Sequence, residues 1–72
     1  MDYWKRGQRA EVARAAGISR FNLSDILHRR KGVSPARAIK LEEASEAILG
    51  EAIPRIAWVY NRTTKHPAFS KV

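Results

Sequence analysis

The residues with the most reactive side chains lie close together between Arg20 and His28. Phe21, Ser24, Asp25 and His28 are spaced i, i+3, i+4 and i+7, so they share one face if this stretch is helical. Serine, carboxylate and imidazole groups are those of many hydrolase sites, but side chains on adjacent turns of one helix cannot surround a substrate without a pocket. We therefore predict that the chain is not an enzyme and has no catalytic residue.

No other part of the sequence offers a reaction centre. It contains no glycine-rich phosphate loop, no paired-carboxylate motif and no metal-ligand spacing, so we expect neither a metal nor another cofactor. Cysteine is absent, which excludes disulfides and thiolate ligands for zinc. A domain of 72 residues must therefore be held together by its apolar core, and a partner chain could supply what that core lacks.

Two short helices joined by a tight turn are predicted to position this face. Helices that cross over so short a turn need a small contact residue, which Ala13 provides, and a residue free to adopt a positive φ, which Gly17 provides. Ser19 is a suitable N-cap for the second helix, and a helix N-terminus directed outward favours a phosphate at that position. Ile18 can fill the turn. The inward-facing apolar positions are Val12 and Ala16 on the first helix and Leu23, Ile26 and Leu27 on the second.

The positive charge of the chain is concentrated in the same half as these helices. Residues 1–40 carry ten Lys and Arg side chains against three carboxylates, whereas residues 41–72 carry four of each sign, so the first part holds the whole net charge of +7. Such a surface attracts polyanions through counterion release, without selecting a sequence. Arg29, Arg30 and Lys31 are the densest cluster and are predicted to contact phosphates, the alternative being that they are solubilising surface charges.

The outer face of the second helix is suited to contact with base edges in double-stranded DNA. Arginine binds guanine O6 and N7 with two hydrogen bonds, so Arg20 is the best candidate, the alternatives being a phosphate contact or a free surface arginine. An exposed Phe21 would meet a thymine methyl group, unless its ring folds back over the preceding helix. Asp25 accepts from cytosine N4 or, as we expect, pairs with Arg29 at i+4. The predicted base-contacting residues are Arg20, Phe21, Ser24, Asp25 and His28.

Helical periodicity covers most of the remaining chain. Asp2 is predicted to cap a first turn containing Tyr3 and Trp4, followed by helices over residues 8–16, 20–30, 35–49 and about 54–60. The predicted fold is all-α, with four to five helices in one domain over residues 1–60. Residues 61–72 lack periodicity and mix polar residues with a proline, so they are predicted to form a flexible tail.

Residues 8–48 resemble the helix-turn-helix region of the lambda-repressor/Cro superfamily. The resemblance is most specific in A-x-x-x-G-I-S from Ala13 to Ser19, with Leu23 and Ile26 at the following apolar positions, and continues into RRKGVSPARAIKLEEAS. Small phage Cro-like repressors and YdaS-type antitoxins share these features. The resemblance implies a compact DNA-binding domain that acts as a dimer on operator DNA. In that architecture the first helix of the motif crosses the DNA backbone, so Gln8 and Arg9 would contact phosphates, together with Ser19, Arg29, Arg30 and Lys31. Gln8 has the alternative of being simply a helix-start residue.

The sequence therefore predicts a sequence-specific transcriptional regulator, expected to be a repressor, that binds operator DNA as a homodimer. Its predicted dimer interface is Ile53, Ile56, Trp58 and Tyr60, while Trp4 and Trp58 are expected in the core or an interface. An alternative is a protein-interaction or antitoxin module that uses these residues to bind a toxin or a polymerase subunit. RNA binding is a third reading. No membrane segment or signal peptide is expected, which makes the cytoplasm the predicted location.

Overall fold

Segments whose apolar residues recur at helical spacing form α-helices, and short turns connect these helices. The computed structural model describes residues 3–69 and forms four helices in that range, α1 (Gln8–Ala16), α2 (Arg20–Leu27), α3 (Pro35–Leu49) and α4 (Arg55–Val59). No strand occurs within residues 3–69. The predicted all-α class is therefore confirmed.

The turn between α1 and α2 has the predicted geometry. Gly17 ends α1 with a φ of 76°, and its N–H donates to Arg14 O at 3.1 Å, while the N–H of Ile18 donates to Ala13 O at 2.9 Å. The hydroxyl of Ser19 accepts from the Asn22 N–H at 3.1 Å and starts α2. These bonds satisfy backbone groups that helix ends would otherwise leave without partners, so the angle between the two helices is fixed locally.

A single core lies where α3 packs against α1 and α4, and α1 also packs against α2. The predicted stripes of α1 and α2 are buried, and α3 contributes the buried residues Ala38, Leu41, Ala44 and Ser45. Within residues 3–69, the largest fully buried side chains are Trp58, Leu23, Leu41, Ile53 and Val12. Among the described helices, α2 packs only against α1, and Arg20 and Phe21 at its start are exposed to solvent.

α2 ends at Leu27, three residues earlier than predicted. His28 forms the C-cap and Arg29 adopts a φ of 64°, a left-handed conformation that cannot continue the helix. The N–H of Arg30 donates to Asp25 O at 2.8 Å and that of Arg29 to Ile26 O at 3.1 Å, which is the hydrogen-bond pattern of a Schellman motif. The motif normally uses glycine at the left-handed position, and the arginine here explains why the sequence predicted a longer helix.

The segment before α1 forms a turn instead of a helix. Asp2, the predicted cap, lies outside the described residues. The N–H of Lys5 donates to Gln8 Oε1 at 2.9 Å, the N–H of Gln8 donates back to Lys5 O at 3.1 Å, and Gly7 has a φ of 84°. Trp4 is buried. A left-handed residue immediately before α1 separates this turn from the helix, which leaves four helices in the described part of the chain.

Residues 61–69 pack on the core, contrary to the prediction of a flexible tail over residues 61–72, of which residues 70–72 lie outside the described part of the chain. Asn61, Ala68 and Phe69 are buried, and the rings of Trp58 and Phe69 are 5.1 Å apart in an edge-to-face arrangement. The indole N–H of Trp4 donates to Ala68 O at 2.9 Å, which joins the two ends of the described chain. The backbone of this segment is irregular, and aromatic side chains and individual hydrogen bonds attach it to the core. Its sequence therefore has no helical periodicity.

Candidate nucleic-acid interface

The outer face of α2, made up of the five predicted base-contacting residues, is directed away from the core. Phe21 is 70% exposed, so its ring does not fold back over α1 as the alternative required. The guanidinium carbon of Arg20 lies 5.4 Å from the centre of the Phe21 ring, a cation–π contact. A large exposed aromatic ring next to an arginine gives the start of α2 a flat, cationic surface.

Further along this face, two side chains are held by partners within the chain. Asp25 Oδ1 accepts hydrogen bonds from Arg30 Nε at 3.1 Å and Arg30 Nη2 at 3.0 Å. The predicted pair with Arg29 is not formed, because the helix ends before residue 29 and the i+4 relationship is lost. His28 Nδ1 lies 2.8 Å from Ser24 O, and because a carbonyl oxygen can only accept, the N–H on Nδ1 is the donor in this hydrogen bond.

Three of the residues predicted to contact phosphates, Gln8 and Arg9 at the start of α1 and Ser19 at the start of α2, lie in different environments. Ser19 is exposed and its hydroxyl accepts from Asn22 within the helix cap. Gln8 Oε1 accepts from the Lys5 N–H, so this side chain serves the turn before α1, as the alternative for Gln8 held. Arg9 is exposed and lines a groove between α1 and α2.

The side chains of the basic cluster after α2 form hydrogen bonds with other residues of the chain. Arg29 Nη1 donates to Asn61 O at 3.0 Å, and this partly buried contact makes Arg29 a support for the end of α2. Lys31 Nζ donates to Asn22 Oδ1 at 2.9 Å. Arg30, paired with Asp25, and Lys31 both remain exposed. Of the three residues in this cluster that are predicted to contact phosphates, these two keep their charged groups at the surface.

Two of the four residues predicted for a dimer interface belong to the core. Ile53 and Trp58 have no exposed surface, the Ile53 N–H donates to Ser45 Oγ at 2.8 Å, and the Trp58 indole N–H donates to Ile53 O at 3.1 Å. They hold α4 on α3 and have no surface to offer a partner. Ile56 is 65% exposed and Tyr60 61% exposed, so the outer side of α4 keeps an apolar patch of two residues.

Sequence reasoning missed three residues that bear on this surface. Lys5 and Arg6 line the groove beside Arg20 and Phe21, and Asn61 donates to Ile26 O and Lys31 O, both at 2.8 Å. The sequence shows Lys5 and Arg6 as part of its basic half. They precede the helices of the motif, however, so no helical face indicated where their side chains lie. Asn61 gave no signal, because its partners are 30 and 35 residues away in the chain.

The shifted pKa values lie outside α2. Burial lowers the pKa of His66, opposed by attraction to Glu51. The pKa of Glu42 is lowered by the Arg55 backbone N–H and by its guanidinium, which lies 2.9 Å from Glu42 Oε1. Across residues 3–69 no cluster of His, Asp and Glu is arranged to hold a metal ion. The outer face of α2 presents hydrogen-bonding, charged and aromatic side chains.

Comparison of the chain with protein-family models, with curated proteins and with solved structures gave no match. None of the helices described is long and apolar enough to cross a lipid bilayer. Function must be inferred from the site itself, since one fold hosts many activities.

Proposed function

We propose that this chain is a sequence-specific DNA-binding transcriptional regulator whose α2 enters the major groove of operator DNA. The observation that carries the proposal is the outer face of α2, which has an exposed arginine and phenylalanine at its start and hydrogen-bonding side chains along its length. An α-helix with its side chains is about 10–12 Å across and the major groove is about 12 Å wide, so α2, with eight residues, can lie in the groove with its exposed face against base edges.

The pair of α1 and α2 supports this docking as a helix-turn-helix. Gly17 and Ser19 determine the geometry of the turn. The apolar stripe of α2 is buried against the core, which leaves the opposite face for DNA. The resemblance of residues 13–19 to the lambda-repressor/Cro superfamily agrees with this assignment. In this docking Arg20 bonds guanine O6 and N7, and Phe21 meets a thymine methyl group or the sugar beside it.

Asp25 adds selectivity in this proposal. While it pairs with Arg30, its charge is offset and the arginine is held beside the helix end. A carboxylate next to phosphates is repelled unless it accepts a hydrogen bond, for example from cytosine N4. If Arg30 turns to a phosphate when DNA binds, the charge of Asp25 is no longer offset, and sequences that offer it no donor are then disfavoured, which is selection by repulsion as well as by attraction.

Binding as a homodimer completes the proposal. The exposed Ile56 and Tyr60 on the outer side of α4 would bury apolar surface against a second copy, and a two-fold dimer reads two half-sites about one helical turn apart. The dimer would act by occlusion, because polymerase cannot occupy a promoter that it covers. The same two residues favour the second candidate, a module that binds a toxin or polymerase subunit.

A selection of binding sites from random duplex DNA at increasing salt tests the proposal. We expect a palindromic consensus with half-sites separated by about one helical turn. Retention without a consensus that vanishes as salt rises would contradict sequence-specific regulation and indicate charge attraction alone. A monomer that retains no duplex even at low salt would instead favour the protein-interaction candidate.

A further inference from the structure

The first two residues of α2, Arg20 and Phe21, form one surface. Side chains at consecutive helix positions normally point in different directions and do not face each other. Here the guanidinium carbon of Arg20 lies over the Phe21 ring, 5.4 Å from its centre, so the two side chains lean together. The Phe21 side chain is 70% exposed, and Arg20 is exposed as well. The two residues therefore present a cation and an apolar ring side by side to solvent.

Both groups can bind a ligand while they remain in contact with each other. A cation–π contact uses the charge of the guanidinium and not its N–H donors, so Arg20 retains donors for two hydrogen bonds to one acceptor edge. The ring keeps most of its surface open to solvent. Because the contact already restricts the arginine side chain, less conformational freedom is lost when a ligand binds.

The polar side chains further along the outer face of α2 are engaged within the chain. Asp25 Oδ1 accepts hydrogen bonds from Arg30 Nε and Nη2, and His28 Nδ1 donates to Ser24 O. At the start of the helix, in contrast, the contact between arginine and ring occupies no hydrogen-bonding group. Selectivity that combines hydrogen bonds with an apolar contact is therefore expected there.

In the proposed docking, the short distance between the two groups limits which bases they contact together. Arginine bonds O6 and N7 on the edge of guanine, and neighbouring base pairs are about 3.4 Å apart along the duplex. A ring whose centre lies 5.4 Å from the guanidinium carbon therefore meets the base pair beside that guanine. The apolar group that an unmodified base pair presents in the major groove is the 5-methyl of thymine.

We propose that Arg20 and Phe21 together read a guanine next to a pyrimidine that carries a 5-methyl group, with the guanidinium on the guanine and the ring on the methyl. This assignment rests on the proposed function for the choice of duplex DNA, and it deepens that function by naming one two-base step in place of two independent contacts. Thymine supplies the methyl in unmodified DNA. Because 5-methylcytosine carries its methyl at the same ring position, the chain also distinguishes methylated from unmethylated cytosine beside the guanine.

Duplexes that differ by a single methyl group test the two-base step. The reference duplex carries the consensus selected by the wild-type chain, and the relevant guanine is the one whose preference is lost in Arg20→Ala. In one pair of duplexes the base beside this guanine is thymine or deoxyuridine, and in a second pair it is 5-methylcytosine or cytosine. Burial of one methyl group corresponds to about a fourfold change in Kd. The wild-type chain is expected to bind the methylated member of each pair tighter by about this factor, measured by fluorescence anisotropy.

Two variants locate the methyl contact on the protein. Phe21→Ala is expected to bind both members of each pair equally while it keeps a preference for guanine. Because the Phe21 side chain is mostly exposed, this substitution leaves the core intact. The matched control is Ile39→Ala, which removes another exposed apolar side chain, on α3, and should keep the wild-type ratio.

Equal binding within either pair of duplexes by the wild-type chain would overturn the two-base step, and the ring would then have its contact elsewhere, for example on a sugar. A methyl preference that survives in Phe21→Ala would overturn it as well, because another side chain would then read the methyl. A consensus without an A·T pair beside the guanine refutes the two-base step alone and leaves sequence-specific binding intact. A chain that selects no consensus refutes the proposed function, and the two-base step with it.

Discussion

At the scale of single residues, one buried amide organises the end of α2. Asn61 Nδ2 donates to Ile26 O and Lys31 O, while the main-chain carbonyl oxygen of Asn61 accepts from Arg29 Nη1. Arg29 itself adopts the left-handed conformation, which costs about 1–2 kcal/mol for a residue other than glycine. Its side-chain bond to Asn61 offsets part of that cost. The two residues together hold the place where the helix stops and the exposed basic cluster begins.

Asn61→Ala is expected to destabilise the fold by about 1–3 kcal/mol, because two hydrogen bonds in a fully buried position are lost, each with a typical net value of about 0.5–1.5 kcal/mol. Urea unfolding of the full chain measures the change. The matched control is Thr63→Ala, a nearby exposed position whose hydroxyl makes a long 3.4 Å contact to Tyr60 O. If both variants unfolded at the same urea concentration as the wild type, Asn61 would not be the support described above.

At the scale of elements, the sequence predicted the parts whose signals are local. The bounds of α1 and α3 match, since Gly17 and the pair Ser34 and Pro35 mark helix ends by their own backbone preferences. The outer face of α2 follows from its 3.6-residue period. The end of α2 did not follow, because Arg29 takes a conformation that its side chain disfavours and a distant Asn61 supports.

The segment after α4 shows the same limit. Its attachment depends on Phe69 reaching Trp58 and on Ala68 accepting from Trp4, 64 residues away, and neither contact has a periodic signature. A similar limit explains why the sequence predicts Ile53 and Trp58 at a dimer interface. The apolar pattern of a five-residue helix does not show which of its sides meets the core.

His66 is expected to make the attachment of this segment dependent on pH. Its Nδ1 accepts the Ala68 N–H at 3.1 Å, and its ring meets those of Tyr3 and Phe69 edge to face. Burial lowers the pKa of His66 below its usual 6.5, although attraction to Glu51 opposes the shift. The folded state thus disfavours protonation, and this contribution to stability is present above pH 6.5 and is lost as the pH falls through the lowered pKa.

Urea midpoints measured from about pH 8 to about pH 5 test this expectation. His66→Asn, which offers an acceptor oxygen but does not titrate, should lose less stability over that range than the wild type. His28→Asn changes the histidine on the exposed end of α2 and should retain the wild-type dependence. The same pH dependence in all three proteins would contradict the role given to His66.

At the scale of the whole molecule, the fold joins the two ends of the described chain and leaves one face of α2 exposed. The Trp4 indole is bonded to Ala68 O, and α2 contributes Leu23, Ile26 and Leu27 to the core that it shares with the other helices. The net charge of +7 is carried by the half that contains α2 and the groove beside it. α2 therefore contributes to stability through its buried stripe and to the proposed DNA contact through its opposite face.

The measurement that tests the central claim most directly is the same duplex selection carried out with Arg20→Ala. If the outer face of α2 reads bases, the variant should lose preference at one position of each half-site, at a cost of about 1–3 kcal/mol, and keep the rest of the consensus. Arg62→Ala removes an equal charge from an exposed position after α4 and should leave the consensus intact. An unchanged consensus with uniformly weaker binding by Arg20→Ala would contradict base reading by α2.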